Sequence, residues 1–185
     1  ERLNAGVTLS LDTDGLVDFD SELFLLESND ILAKNSDVAY TNVEKLYVTM
    51  GHQDIVVNVR GTSAKTYITT QEGDDKIFVA SDSNENIATA ASVDVVFGWL
   101  DYVERDLYVI TQDGRHRLLM SDIDSFIGKG FGSRGEAELT RDSLTKLADG
   151  VGDIFFNTSD DGGNWFDGAN LWLSQENDRL KVTSI

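Results

Sequence analysis

The sequence predicts an all-β fold, and in particular a parallel β-solenoid (β-helix or β-roll-like) with coils of about 20 residues. Three observations support this prediction. Similar segments recur at a nearly constant spacing, and apolar and polar residues alternate within them. The turns between strands use Gly, Asp, Asn and Gln, in a chain that has 16 glycines and no proline. Such alternation is typical of strands that bury one face.

The repeated segments align without gaps. LYVTMGHQDIVVNV begins at Leu46, and TYITTQEGDDKIFV begins 20 residues later at Thr66. LYVITQDGRHRLLM begins a further 41 residues along, at Leu107, and a fourth copy, LWLSQENDRLKV, places Leu171 under Val48. Each copy is predicted to be a strand, a polar turn and a second strand.

Alternation assigns the two faces of each strand. Leu46, Val48 and Met50 share one face, and Tyr47 and Thr49 share the other. A unit of two strands buries little apolar area alone, so it needs the next unit about 4.8 Å away to continue its hydrogen bonds and its apolar column.

A longer period is superimposed on the short one. Segments that begin at Asp37 and at Gly152 share an order of apolar strand, polar linker, strand and acidic turn. This similarity predicts about one and a half copies of a super-repeat of about 120 residues, within a single body that covers residues 1–185. Because stacked repeats need polar caps or further repeats, we expect the body to belong to a longer array.

Two stretches depart from the repeat. Residues 137–149 contain leucines at helical spacing and allow a short helix, although strands are favoured because the repeat spacing leaves room for two coils. Residues 82–92 are predicted to form a surface excursion. The apolar residues expected to return to the core after it are Val93, Val95, Phe97 and Leu100.

Composition limits the classes of partner. The formal net charge of −18 argues against nucleic acid and anionic membranes and favours cations. The chain has no cysteine, which excludes disulfides and thiolate metal sites. No apolar stretch approaches the roughly 20 residues of a membrane span, so we expect no membrane insertion. The glycine-rich motifs that bind nucleotide phosphates are absent.

Three stretches resemble the repeats of very large secreted and cell-surface proteins: NVEKLYVTMGHQDIVVNVRGT, TYITTQEGDDKIFVAS and LWLSQENDRLKVTS. They are similar in style to the calcium-binding nonapeptide (RTX) β-roll. The resemblance implies an extracellular spacer, adhesin stalk or matrix filament, often calcium-stabilised, whose partners are neighbouring repeats or identical subunits stacked end to end. Of the four turns, only Gly73-Asp74-Asp75 matches the calcium consensus.

That turn is the first candidate site. Stacking would bring its acids close to the acid of the preceding turn, and Ca²⁺ would relieve the repulsion by taking six to eight oxygen ligands. The ligands expected are Asp54, Glu72, Asp74 and Asp75. Two other interpretations stay open: a solvated acidic turn in which Gly73 supplies a positive φ, and a catalytic acid pair.

A glycine-rich acidic loop near the C-terminal end is the second candidate. The oxygen-bearing side chains that could bind a cation are Asp160, Asp161, Asn164 and Asp167. Trp165 and Phe166 could instead stack on a sugar ring, or simply cover the side of the stack. A carbohydrate-binding module using Trp165, Trp172 or Trp99 on a flat face is the competing function, with polysaccharide as its partner.

The third candidate is DGRHR, residues 113–117, which concentrates rare positive charge. If the chain were a polysaccharide lyase, Arg115 or Arg117 would be the base, with His116 assisting. Alternatively, this basic turn only neutralises acidic residues near it. His52 lacks a partner at metal-ligand spacing. The sequence therefore predicts a non-enzymatic structural protein, with a polysaccharide-degrading or polysaccharide-binding module as the alternative.

Overall fold

A computed structural model describes residues 7–10, 22–26, 30–33, 36–39, 43–50, 54–158 and 164–183. These residues form fifteen strands and one short helix. In chain order they are β1 (Val7–Ser10), β2 (Glu22–Leu26), β3 (Asp30–Ala33), β4 (Ser36–Ala39), β5 (Lys45–Thr49), β6 (Ile55–Val59), β7 (Lys65–Thr69), β8 (Lys76–Val79), α1 (Ile87–Ala90), β9 (Leu107–Thr111), β10 (Arg115–Ser121), β11 (Ala137–Leu139), β12 (Ser143–Thr145), β13 (Ile154–Thr158), β14 (Asn164–Trp172) and β15 (Leu180–Val182).

The strands form two sheets. The first has the order β1-β5-β7-β9-β13-β12-β11-β15, and the second has the order β14-β10-β8-β6-β2-β3-β4. Consecutive copies of the sequence repeat therefore send one strand to each sheet. Residues of both sheets contribute to one apolar core, which includes Val48, Ile68, Val57 and Ile77.

The middle of each sheet is parallel, and its register follows the sequence repeat. In the first sheet Val48 pairs with Ile68, which pairs with Val109. In the second sheet Val57 pairs with Ile77, which pairs with Leu118. The predicted shifts of 20 and then 41 residues are thus confirmed. Apolar residues at equivalent positions keep the same face of every strand turned inward.

The predicted fold class, a parallel β-solenoid with coils of about 20 residues, is nevertheless wrong. Both sheets are mixed: β3 is antiparallel to β2 and to β4, and β12 is antiparallel to β11 and to β13. The cause is linker length. Only two residues separate β3 from β4 and three separate β11 from β12, and loops this short can join antiparallel strands only.

The fourth sequence copy also takes a different place from the one predicted. Leu171 pairs with Met120 in the second sheet, and Phe156 occupies the position beside Val109. The long strand β14 therefore extends the second sheet, whereas β15 joins β11 in the first sheet.

The two irregular stretches are now defined. Residues 137–149 contain the strands β11 and β12 and no helix, so the alternative helix there is wrong. Within residues 93–100 Val96 and Leu100 are buried, but the expected core residue Phe97 is 64% exposed. Residues 93–100 form no strand, so the alternation on which the expectation depended does not apply there.

Residues 80–100, which contain the predicted excursion 82–92 and are called the excursion from here on, cover the outer face of the second sheet. Val56, Phe78 and Leu119 form a smaller apolar cluster there with Ala90 and Val96 of the excursion. Within the described residues, no helix is long and apolar enough to cross a membrane.

Candidate functional site

The first candidate site lies where successive turns between the two sheets stack on one another, and its carboxylates bind backbone. Asp54 Oδ1 accepts a hydrogen bond from the Asp74 amide at 2.8 Å, and Asp74 Oδ1 accepts one from the Arg115 amide at 2.9 Å. Asp75 Oδ1 accepts one from the Ile55 amide at 3.1 Å. Each carboxylate therefore ties its own turn to a neighbouring one.

Glycine makes this close stacking geometrically feasible. Gly73 and Gly114 have φ values of +133° and +139°, so the expected positive φ at Gly73 is confirmed. A Cβ atom added at Gly114 would lie only 1.9 Å from the carbonyl oxygen of Gly73. The Gly73 amide donates to the Asp113 carbonyl at 3.1 Å, which fixes the spacing of the two turns.

Asp75 faces the interior rather than the other acids of the turn. Its Oδ2 lies 3.1 Å from His116 Nδ1, and both side chains are fully buried. His116 Nε2 lies 2.9 Å from the Gln112 carbonyl oxygen, so both ring nitrogens face acceptors. Burial alone lowers the pKa of His116, but the hydrogen bonds to Asp75 and Gln112, with the charges of Asp75 and Asp74, outweigh it and raise the pKa above 6.5.

This arrangement separates the four predicted calcium ligands. Asp54, Glu72 and Asp74 are exposed, whereas Asp75 is engaged by His116 inside the core. In the described part of the chain, no group of three or more His, Asp or Glu side chains is placed to hold a metal ion. Calcium binding at this turn therefore stays a prediction. Its side-chain ligands would be the three exposed acids, without Asp75.

The second candidate site is only partly described. Asp160 and Asp161 lie outside the described residues, as does His52. The other predicted residues, Asn164, Trp165, Phe166 and Asp167, all belong to β14, where Asn164 pairs with Arg115. The cation and sugar interpretations of this loop stay predictions.

The other tryptophans proposed for sugar binding take part in packing. Trp172 is partly buried against the cluster that includes Phe78 and Leu119. Trp99 contacts the edge of Tyr102, with ring centroids 5.9 Å apart.

The basic residues of the third candidate site diverge. Successive side chains of β10 point to opposite faces, so the buried His116 is directed away from Arg115 and Arg117. Arg117 lies 3.6 Å from Asp94 of the excursion. The structure does not bring the three side chains together as a base and its assistant would require.

An aromatic row on the outer face of the first sheet was missed at the sequence level. We call Tyr47, Tyr67, Tyr108 and Phe155 the aromatic ladder. Neighbouring rings are stacked, with centroids 4.6 to 4.7 Å apart. The two inner rings, Tyr67 and Tyr108, are stacked on both faces, so they offer a ligand only their edges. The recurrence of tyrosine at one position of three repeat copies was the available signal.

A buried charge cluster was also missed. Lys129 has no exposed side-chain surface, and its Nζ contacts Asp101 Oδ1 and lies 3.4 Å from Asp122 Oδ2. Burial raises the pKa of Asp122 to about 6, although the Leu100 amide and the Lys129 charge oppose this shift. Lysine is so seldom buried that no sequence signal indicated the cluster.

Comparison with known proteins identified no relative of this chain. No protein-family model, no curated protein and no solved structure matches the chain. The fold and its side chains are therefore the basis of any functional assignment.

Proposed function

We propose that the chain is a non-catalytic structural spacer, a segment of an adhesin-type stalk or fibre at an extracellular surface. The observation that supports this proposal is the repetition of the same side-chain row from strand to strand, with the aromatic ladder as its clearest case. In a row of this kind each side chain packs against the equivalent side chain of the next strand, which favours a packing role over a catalytic one.

Three kinds of interaction would make the segment stiff. The parallel strands contribute hydrogen bonds, and the aromatic ladder adds stacking worth about 0.5–1.5 kcal/mol per pair beyond buried area. The carboxylates of Asp54, Asp74 and Asp75 clamp adjacent turns through backbone amides. Local opening would break several of these interactions at once, which is the property a spacer under load needs.

The side-chain chemistry is used internally, which also supports a structural role. Both ring nitrogens of His116 are engaged, and Arg134 and Lys146 form ion pairs with Asp153 and Glu138. We therefore assign the charged groups to holding the fold. The extracellular location is proposed on the sequence resemblance to surface-protein repeats alone.

Sheet edges are the proposed contacts with neighbouring repeats or identical subunits. Strand β15 ends the first sheet, and its Val182 is 46% exposed. Unpaired strand edges are templates for another strand. End-to-end pairing there would extend the fibre.

Sedimentation velocity over a range of protein concentrations tests the edge contact. Val182→Lys places a charge on the edge strand and is expected to weaken self-association. Phe126→Lys is the matched control, because Phe126 is 75% exposed but lies in a loop. If the Phe126 variant alone dissociates, the edge is not the contact.

A polysaccharide panel tests the non-catalytic assignment. The chain is expected to neither bind nor cleave neutral and acidic polysaccharides. Saturable binding lost in Trp172→Ala or Trp165→Ala, with unchanged circular dichroism, would replace the spacer by the carbohydrate module. Cleavage of any polysaccharide would refute the non-catalytic assignment directly.

A further inference from the structure

The buried cluster of Lys129, Asp101 and Asp122 has the composition of a reactive site. Lys129 and Asp122 have no exposed side-chain surface, and Asp101 is 32% exposed. Lys129 Nζ contacts Asp101 Oδ1 and lies 3.4 Å from both Asp122 Oδ2 and Ser125 Oγ. One amine and two carboxyl groups thus share one small volume.

The backbone holds the amine in this volume. The Lys129 amide donates to Asp178 Oδ1 at 2.7 Å, and the Lys129 carbonyl accepts from the Arg179 amide at 2.8 Å. A Cβ atom at Gly128 would lie 2.0 Å from the Asn177 carbonyl oxygen, so this segment packs tightly against its neighbour. The backbone that carries Lys129 is therefore fixed on both sides.

Asp122 is fixed in a similar way. Its Oδ1 accepts a hydrogen bond from the Leu100 amide at 2.8 Å. Its Oδ2 is buried and has no hydrogen-bond partner among the described residues, and the Lys129 amine lies 3.4 Å from it. Because Leu100 precedes Asp101 in the chain, the same contact also positions Asp101 against the lysine.

Burial raises the pKa of Asp122, and the negative charge of Asp101 adds to this effect, so the protonated form of Asp122 is favoured. The ammonium group of Lys129 lies 3.4 Å from Asp122 Oδ2, so a proton acceptor stands beside it. Transfer of a proton from the ammonium group to Asp122 gives a neutral amine and a neutral acid. A neutral amine held against a carboxyl group has the proximity that makes an intramolecular reaction fast.

We propose that Lys129 and Asp101 form an intramolecular amide bond, with Asp122 as the proton-transfer group. Lys129 gives one proton to Asp122 and attacks Cγ of Asp101, while Asp122 protonates the Asp101 oxygen. The tetrahedral intermediate loses its second nitrogen proton to the departing oxygen, the C–O bond breaks, and water leaves. An ammonium and a carboxylate thus become an amide and one water molecule, without any oxidant or cofactor.

The bond would tie the residue that directly follows the excursion, Asp101, to the loop that follows β10. Asp101 and Lys129 are 28 residues apart in the chain. The bond would close the chain between them into a covalent loop. This inference does not depend on the proposed function, although a covalent tie suits a segment under load.

Mass spectrometry of the full chain tests the proposal. The intact protein is expected to be lighter than its sequence by one water molecule. Since cyclisation of Glu1 or of an Asp-Gly pair also loses water, the position must come from a tryptic digest. The expected species joins the peptide 77–105 to the peptide 118–134, uncleaved at Lys129.

Two matched variants show whether the reaction needs Asp122 itself or only a nearby acidic residue. Asp122→Asn is expected to remain unlinked, whereas Asp124→Asn, which changes an acid that binds the Gly98 amide instead, is expected to link like the wild type. Cleavage after Lys129 in most wild-type molecules, or an amide between Lys129 and Asp122, would overturn the proposal. The wild-type digest decides the matter even if a variant does not fold.

Discussion

At the scale of single residues, Asn58 is the clearest case of a polar side chain that organises its surroundings. It is 1% exposed on the outer face of β6. Its Nδ2 donates to the Glu85 carbonyl at 2.8 Å, and its Oδ1 accepts from the Glu85 amide at 2.8 Å and from the Ser83 hydroxyl. One amide side chain thus fastens the excursion to the second sheet.

We expect Asn58→Ala to lower the free energy of unfolding by about 2–4 kcal/mol, because it leaves buried donors and acceptors unsatisfied. Urea denaturation followed by circular dichroism measures this change. Asn86→Ala is the control, since Asn86 caps a four-residue helix through the Thr89 amide, and a cap of this kind contributes about 1 kcal/mol. Equal losses in the two variants would show that Asn58 has no special role.

His116 makes a second prediction at this scale. Its pKa is raised in the folded state, so its stabilising contribution is fully present below about pH 6.5 and is lost as the pH rises through the folded-state pKa. We expect the melting temperature to fall as the pH rises across this range, and the fall to be smaller in His116→Gln.

His52→Gln is the matched control, because it removes the other histidine of the chain. Thermal melts at matched ionic strength from about pH 6 to about pH 9 compare the three proteins. A slope that flattens in His52→Gln, or that is identical in all three proteins, would contradict the assignment to His116.

At the scale of elements, the stacked turns depend on glycine where two backbones meet. Gly114→Ala combines an unfavourable positive φ with a clash against the Gly73 carbonyl. Gly150 has a φ of +86° but open space around a Cβ atom, so Gly150→Ala shows the backbone cost alone. That cost is about 1–2 kcal/mol.

We therefore expect Gly114→Ala to destabilise the protein clearly more than Gly150→Ala in urea denaturation. The difference between the two variants measures how closely the turns stack. Equal destabilisation would mean that the turns can move apart without loss, and would remove the clamping role given to Asp54 and Asp74.

The parallel ladders were predictable because their information is local and repeated. Tyr47, Tyr67 and Tyr108 recur at fixed offsets, so the alignment of copies gave the register of β5, β7 and β9 directly. The antiparallel ends were not predictable in this way, since linker lengths around β3 and β12 decide them. The fourth copy was misplaced because sequence similarity does not say which sheet a strand joins.

The sites were less accessible to sequence reasoning for a related reason. The pairing of Asp75 with His116 joins residues 41 positions apart, and the turn motif alone suggested four acids on one side. From the sequence alone Lys129 would be placed on the surface, whereas the tertiary structure buries it beside Asp101 and Asp122. Which charged residues are buried together depends on the whole fold, whereas the register of the strands depends only on neighbouring repeats.

At the scale of the whole molecule, charge is the dominant feature. The formal net charge of −18 makes self-repulsion destabilise the compact state. Raising KCl from about 10 mM to about 100 mM shortens the Debye length from about 30 Å to about 10 Å. We expect the melting temperature to rise over this range as the acidic surface is screened.

Divalent cations at constant ionic strength distinguish screening from binding. Asp54 and Asp74 each already accept a backbone amide, and Asp75 faces His116, so we expect Ca²⁺ and Mg²⁺ to shift the melting temperature equally. A larger, saturable shift with Ca²⁺ would establish a specific site instead, because Ca²⁺ tolerates irregular oxygen ligands that Mg²⁺ rejects. Asp74→Asn and Asp161→Asn would then locate it, since loss of the extra shift in the first variant assigns the stacked turns and loss in the second assigns the acidic loop.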